Sequence, residues 1–365
     1  MATGHQAASN QSTMGGETMN NQRRNILKTA AMAGLSAPAI VAASATSAVA
    51  QAKVSWRMQA LWGGNTTPMS YEEAFCDRVR ELTNGSFDIT SFSGGSIVPN
   101  GEAFDAVRGG AFQLMKTYDG YTAGKIPTHG FTSSVPFGFP QADQLESWFY
   151  ERGGLEMARR SYETAGLTYI APTVYGEEPI HSKVEIRSIA DMNGLKGRFV
   201  GLASKVMADF GVAVSPLGTA EVYSALDKGL IDFADRGDIK ANYEAGLHEV
   251  AKYLVLPGIH QPTTATAYVA NSGAYNQLSE QHRAALALAA REVSGALRQD
   301  IMVSNAEYVG KFVKAGVEVI ELDSQDVIDN RSKAIASWES AAGDDALAIE
   351  VMNSQRELME DYRLI

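Results

Sequence analysis

The chain has 365 residues, with 31 basic and 42 acidic side chains and a net charge of -11. Hydrophobic residues make up 45% of it, enough for a large core and, at this length, for two compact units. The acidic balance argues against nucleic acid as a partner, because phosphate binding needs a surplus of Lys and Arg. The lone cysteine, Cys76, excludes an intramolecular disulfide and any zinc or iron–sulfur site built from several cysteines.

Near the N-terminus, Arg23 and Arg24 precede a weakly apolar, Ala-rich stretch from Thr29 to Ala50. The stretch ends in the small-x-small triplet Ala48-Val49-Ala50. Paired arginines, a mildly hydrophobic run and that triplet resemble a bacterial twin-arginine export signal over residues 1–50. A single membrane anchor is the competing reading, but the run is poor in Leu, Ile and Phe. The mature chain is then expected to begin at Gln51 and to act in the periplasm. It carries 28 basic and 41 acidic residues, a net charge of -13. Cys76, among apolar neighbours, reads as a buried structural thiol.

From Lys53 to Ala60 apolar and polar residues alternate, the pattern of a half-buried strand. Ser70-Tyr71-Glu72-Glu73 reads as a capping box opening a helix that Asn84-Gly85 stops. A strand at Phe87–Thr90, a helix around Gly101–Arg108 and a strand at Phe112–Lys116 follow. A second such series begins near Leu167: strands at Tyr169–Thr173 and Gly197–Val200, a helix at Ser204–Phe210, an extended Val212–Pro216, a helix from Thr219 to Lys228 and a strand at Ile231–Ala234. Strands separated by helices indicate an α/β sheet with parallel elements. From Ser279 to Lys314 there is no Pro, and apolar residues recur at helical spacing through Leu286, Val293, Leu297, Ile301 and Phe312. Such a helix spans roughly 50 Å, longer than one small lobe, and most simply braces two. Two helices meeting at a kink at Gly295 or Gly310 are the alternative. Val317–Leu322 reads as a further strand.

Catalytic signatures are missing. There is no nucleophile elbow, no phosphate loop and no Gly-x-Gly-x-x-Gly after a strand. His129, His181, His248, His260 and His282 are scattered without metal-ligand spacing.

Four segments together carry a family resemblance: Phe104–Gly110, Val135–Phe139, Asn193–Phe199 with its Leu-Lys-Gly-x-Arg character, and Glu221–Asp232. On these the mature chain resembles the solute-binding proteins of TRAP transporters, the DctP family, over nearly its full length. Trp56–Gln59 and Pro257–Pro262 resemble most the branch that binds 2-oxo acids and related monocarboxylates. The resemblance implies an α/β, two-lobed periplasmic-binding-protein fold with crossing strands and a long lobe-spanning helix. It places 51–174 plus 263–300 in one lobe and 175–262 plus 301–365 in the other. It also implies capture of a small organic anion and delivery to the small and large membrane subunits of an ion-gradient-driven transporter. Some members of the branch pair into dimers, so a homodimer is admitted. The rival is an exported enzyme acting on a small organic acid. A third reading delivers the ligand to a receptor.

By the same resemblance Arg198 is the carboxylate anchor. A planar guanidinium offers a carboxylate two parallel donors and keeps its charge. The positions matching the branch's cation site are Glu177, at the domain crossing, and Asp235, with Arg236 where a Trp is usual. Two arrangements follow. Glu177 and Asp235 hold a hard cation such as sodium or calcium, or Arg236 supplies the positive charge, pairs with Glu177 and removes the need for a metal. We favour the second. Trp62, Tyr118, Tyr121 and Phe137 are the expected aromatic wall, with Gln59 and His260 as hydrogen-bond donors and Asn242, Lys240 and Asp238 as weaker candidates. Closure is expected about Thr173–Gly176 and Gln261–Thr264.

Overall fold

A computed structural model describes residues 53–365; the segment 1–50, expected from its sequence to be an export signal, lies outside the described residues. In chain order the elements begin with β1 (Val54–Gln59), α1 (Thr67–Leu82), β2 (Phe87–Phe92), α2 (Ala103–Arg108) and β3 (Leu114–Thr117). There follow α3 (Ala142–Glu151), α4 (Gly154–Glu163), β4 (Leu167–Tyr175), β5 (Ile180–Ser182), β6 (Lys196–Arg198), α5 (Gly201–Asp209) and β7 (Ala213–Val214). Then come α6 (Val222–Asp227), β8 (Phe233–Ala234), α7 (Ile239–Glu244), α8 (Leu247–Val250), β9 (Tyr253–Leu256) and β10 (Thr264–Asn271). The chain closes with α9 (Ser272–Asn276), α10 (Glu280–Lys314), β11 (Glu318–Glu321), α11 (Ser324–Ala342) and α12 (Ala346–Asp361).

Two sheets define two lobes. The first has the order β2-β1-β3-β10-β4 and the second β11-β9-β5-β8-β6-β7. Within the first, β1 runs parallel to β2 and β3, while β10 is antiparallel to both β3 and β4. In the second, β5 is antiparallel to β8 and β9 and the other pairs are parallel. The antiparallel strands are those that change sheet: the chain leaves the first lobe after β4 and enters the second at β5, then returns from β9 to β10. The two crossing segments touch closely at Gly258. A Cβ there would lie 1.9 Å from the Glu178 carbonyl oxygen, and Glu178 N–H donates to the Gln261 carbonyl at 3.1 Å. Only glycine permits this approach.

Helix α10 runs 35 residues without interruption, so the kink at Gly295 or Gly310 is not used. Ser279 caps its start, accepting from His282 N–H, and Lys311 and Lys314 face the negative end of its dipole. Its first half packs Leu286, Ala290 and Val293 against Trp56, Phe75 and Tyr268 of the first lobe. Leu297 and Ile301 meet Tyr175 at the crossing, and Phe312 packs on Leu254 and Val317 of the second lobe. One rigid rod therefore braces both lobes.

Several local expectations shift. Helix α1 starts a turn earlier than Ser70: Thr66 is its cap, accepting from Met69 N–H at 3.4 Å, with Pro68 in the first turn. The segment 301–365 does not belong wholly to the second lobe. Helix α12 lies against α4 and the turn at Pro127–Gly130 of the first lobe, and α11 packs on α5 of the second. Trp338, Met352 and Met359 join Trp148, Phe131 and Phe210 in one core cluster that reaches both lobes. None of α3, α4, α11 and α12 was expected from the sequence. No helix among the described residues is long and apolar enough to cross a membrane.

Candidate ligand-binding site

A cleft between the lobes, with a cavity of about 100 Å³, is bounded by loops that leave the carboxyl ends of β1, β3, β6 and β8 and by both crossings. Ligands of open α/β sheets bind at such strand ends. β6 and β8 are parallel neighbours, with Arg198 opposite Ala234. That register sets Arg198 beside Asp235, the next residue. Its Nη1 donates to Asp235 Oδ1 at 2.6 Å, and its Nε donates to the Leu217 carbonyl at 2.9 Å. Both side chains are almost fully buried, 3% and 2% exposed. Arg236 also lines the cleft. Its recorded hydrogen bond goes to the Ala241 carbonyl at 3.3 Å, and no carboxylate lies within ion-pair distance of it among the described residues.

Tyr118 and Tyr121 enter on the turn after β3, their rings edge-to-face at 5.4 Å. The Tyr118 hydroxyl donates to Gln261 Oε1 at 3.3 Å. Trp62 follows β1 and is held by its indole N–H, which donates to Glu72 Oε1 at 3.1 Å. Glu72 in turn lies 3.9 Å from the buried Lys116 ammonium. Burial lowers the Lys116 pKa to about 8, against the pull of Glu72.

The crossing acid that faces the cleft is Glu178, which corrects the expectation of Glu177. Glu178 is 6% exposed and accepts from the Tyr175 hydroxyl at 2.9 Å. Burial, followed by repulsion from Asp235, raises its pKa to about 8. Glu177 turns the other way. Its Oε2 accepts from Gly258 N–H at 2.6 Å, and its side chain borders a larger, more apolar groove of about 680 Å³ behind the hinge. The expected Arg236–Glu177 pair therefore does not form. The smaller cleft gathers buried charged groups, Arg198, Asp235, Asp238 and Glu178, whereas Asp143, Glu177, Arg298 and Arg331 of the groove are half-buried or exposed.

Three further residues fall outside the cleft. Phe137 borders the rear groove and stacks on Phe210 at 5.4 Å. Gln59 holds the loop at Ile97 and Val98, accepting from both backbone N–H groups and donating to the Val98 carbonyl. His260 sits behind Asp235, with Nε2 3.7 Å from Oδ2, and burial lowers its pKa to about 4, so it is neutral. Of the weaker candidates, Asp238 lines the cleft and caps α7. Asn242 bonds to His181 and the Gly237 carbonyl, and Lys240 lies over Tyr308. Tyr175, Gln261, Thr219 and Thr266 also line the cleft; the sequence marks Gln261 only as a hinge bound and Thr219 only as a helix start, and points to none of the four as a cleft residue. Thr266 is 1% exposed and its hydroxyl has no hydrogen-bond partner.

Residues 51–344 match bacterial extracellular solute-binding protein family 7, DctP, and the chain belongs to that family. Its members are solute-binding receptors, so the exported-enzyme reading is set aside. The chain is 30% identical over 316 residues to a monocarboxylate 2-oxoacid-binding periplasmic protein of Nostoc sp., covering 86% of each chain. Among solved structures it is similar to a TRAP transporter solute-binding protein of Bordetella bronchiseptica, with copurified calcium and picolinate in its site. The identity there is 26% and the TM-score 0.79, over 86% of this chain and 93% of that one. A TRAP periplasmic solute-binding protein of Rhodobacter sphaeroides in an apo open state is 26% identical, with a TM-score of 0.70 over 85% and 99% of the two chains.

Proposed function

We propose that this protein is a periplasmic receptor that captures a small organic acid in the interlobe cleft and delivers it to the small and large membrane subunits of a TRAP transporter. The observation that carries this reading is the convergence of two guanidinium groups, Arg198 and Arg236, on a buried cleft at the strand ends. Arg198 is fixed by Asp235, whereas Arg236 has no carboxylate within ion-pair distance among the described residues, though it feels Glu178 and Asp238, and is offered to a carboxylate. In a closed cleft such a pair is weakly screened by salt. The match to the family begins at residue 51, next to the expected cleavage point after Ala50, which supports a leader ending there; the paired Arg23 and Arg24 are what point to the twin-arginine route. The dimer described for the Bordetella relative supports a homodimer as the assembly of this chain.

That relative's calcium raises the question of an ion here. Calcium takes six to eight oxygen ligands. Asp235 is engaged by Arg198, and a second guanidinium, Arg236, occupies the same cleft. This donor set fits a divalent cation poorly, so Arg236 takes the place of the cation. A thermal-shift screen of oxo, hydroxy, sulfonated and zwitterionic acids, each with EDTA and with added calcium, tests both points. Stabilisation by carboxylates that EDTA leaves intact is expected. The receptor reading is overturned by the absence of any acid that stabilises the protein, and the metal-free reading by stabilisation that appears only with calcium.

A further inference from the structure

The charges of the cleft do not cancel within the protein. Arg198 and Asp235 neutralise one another at 2.6 Å. Asp238 accepts from Ala241 N–H as the cap of α7. Asp238 also has no cation at ion-pair distance among the described residues, but the backbone N–H groups of its own helix hold it; two groups remain. Arg236 carries a positive charge with only a carbonyl as partner. Glu178 presents a carboxyl group whose recorded hydrogen bond is the one from Tyr175, and no Lys, Arg or His lies within ion-pair distance of it among the described residues. Both line the same cavity yet do not pair with each other. Around them stand Trp62, Tyr118, Tyr121 and Tyr175, and aromatic faces attract cations at short range.

We propose that the preferred ligand is a small zwitterion, an amino or imino acid or a betaine, whose carboxylate meets Arg236 and whose cationic nitrogen meets Glu178 and the aromatic wall. The inference rests on the carboxylate-receptor reading above and narrows it. A plain 2-oxo acid satisfies the guanidinium but leaves Glu178 facing an oxygen-rich ligand. A ligand bearing both charges pairs with Arg236 directly, and its cationic nitrogen gives the buried Glu178, which no cation of the protein faces, a reason to release its proton. Size agrees. A cavity of roughly 150 Å³ holds benzene, and this one, at about 100 Å³, suits a ligand of similar or smaller bulk. Thr266, with its unpartnered hydroxyl, supplies one more polar contact.

The test is calorimetric titration of the full chain, stripped of bound ligand, with near-isosteric probes: L-alanine, sarcosine and glycine betaine against pyruvate and L-lactate. Each is run with EDTA and with added calcium. At least one zwitterion is expected to bind about tenfold or more tightly than either plain acid, without calcium. Glu178→Gln, which keeps the shape and removes the charge, is expected to weaken that zwitterion by about tenfold or more while changing lactate by less than about threefold. Circular dichroism confirms that the variant folds. Tighter binding of pyruvate or lactate than of every zwitterion, or a Glu178→Gln variant with undiminished zwitterion affinity, overturns the zwitterion assignment and leaves the carboxylate receptor standing. If none of the five probes binds, the zwitterion assignment falls. If other carboxylates in the thermal-shift screen also fail, the receptor reading falls with it.

Discussion

Glu177 and Glu178 are neighbours on one crossing segment, yet they serve opposite faces of the hinge. Glu178 turns into a small charged cleft beside Arg198, Asp235 and Arg236. Glu177 turns into a larger groove bordered by Phe137, Pro257 and Ile301 and tethers itself to the second crossing through Gly258 N–H. The two cavities differ in how they hold charge as well as in size. The larger keeps Asp143, Glu177, Arg298 and Arg331 half-buried or exposed, while the smaller buries Arg198, Asp235, Asp238 and Glu178. The contrast shows that two adjacent residues of an irregular crossing, between the end of β4 at Tyr175 and the start of β5 at Ile180, can serve opposite faces of the hinge.

The strongest way to break this contrast is Arg198→Ala. It strands Asp235, nearly fully buried, and is expected to cost about 3–5 kcal/mol of stability together with ligand binding. Denaturant unfolding with and without ligand reads both. A loss under about 1 kcal/mol shows that the pair is not structural. Next is Arg236→Gln, which strands no acid. Stability is expected to hold while affinity for a carboxylate falls by about ten- to a hundredfold in calorimetry. Unchanged affinity removes Arg236 from the site.

A smaller effect is set by pH. Burial raises Glu178 to about 8 and Asp119 to about 7, the latter despite hydrogen bonds from Thr132 and Tyr162. Both lie above the ordinary carboxylate range, so the folded protein keeps protons that the unfolded chain releases, and stability falls as pH rises through these values. The buried histidines work in the opposite sense. Burial lowers His129 and His181 to about 3 and His260 to about 4, so they favour folding above the ordinary histidine pKa and lose that contribution as pH falls below about 6.5. The empty protein is therefore expected to be most stable near pH 6.5 and to lose roughly 2 kcal/mol by pH 8. Thermal unfolding across this range checks it, and Glu178→Gln is expected to flatten the alkaline side. Smallest of all is Glu177→Gln, with affinity expected to stay within about 0.5 kcal/mol of the parent. A tenfold loss of affinity there places Glu177 in the ligand site and erases the contrast.

The sequence was informative where local rules govern. Pro-free helical spacing from Ser279 to Lys314 located α10 to within a residue or so. The residues after strand ends, Trp62, Tyr118, Tyr121, Arg198, Asp235 and Arg236, do line the cleft. It was uninformative at the crossings. Between Tyr175 and Ile180 the strand leaves one sheet before joining the next, so no continuous alternation assigns Glu177 and Glu178 to faces. Gln59 and His260 were misplaced for a related reason. A polar side chain near a strand end can serve a neighbouring loop or stand behind an acid as readily as it can face a ligand. The C-terminal helices α11 and α12 went unread, although their apolar faces close the core between the lobes.

By itself the sequence determined the α/β class, the family through its short motifs and the supply of arginine for an anionic group, because these depend on residue type and near-neighbour spacing. Tertiary structure alone decided which carboxylate enters the cleft, that Arg198 is neutralised by Asp235, and that Arg236 and Glu178 remain for the ligand. Those outcomes depend on strand register and on a glycine contact between segments 80 residues apart in the chain, from Glu178 to Gly258, which no local pattern encodes.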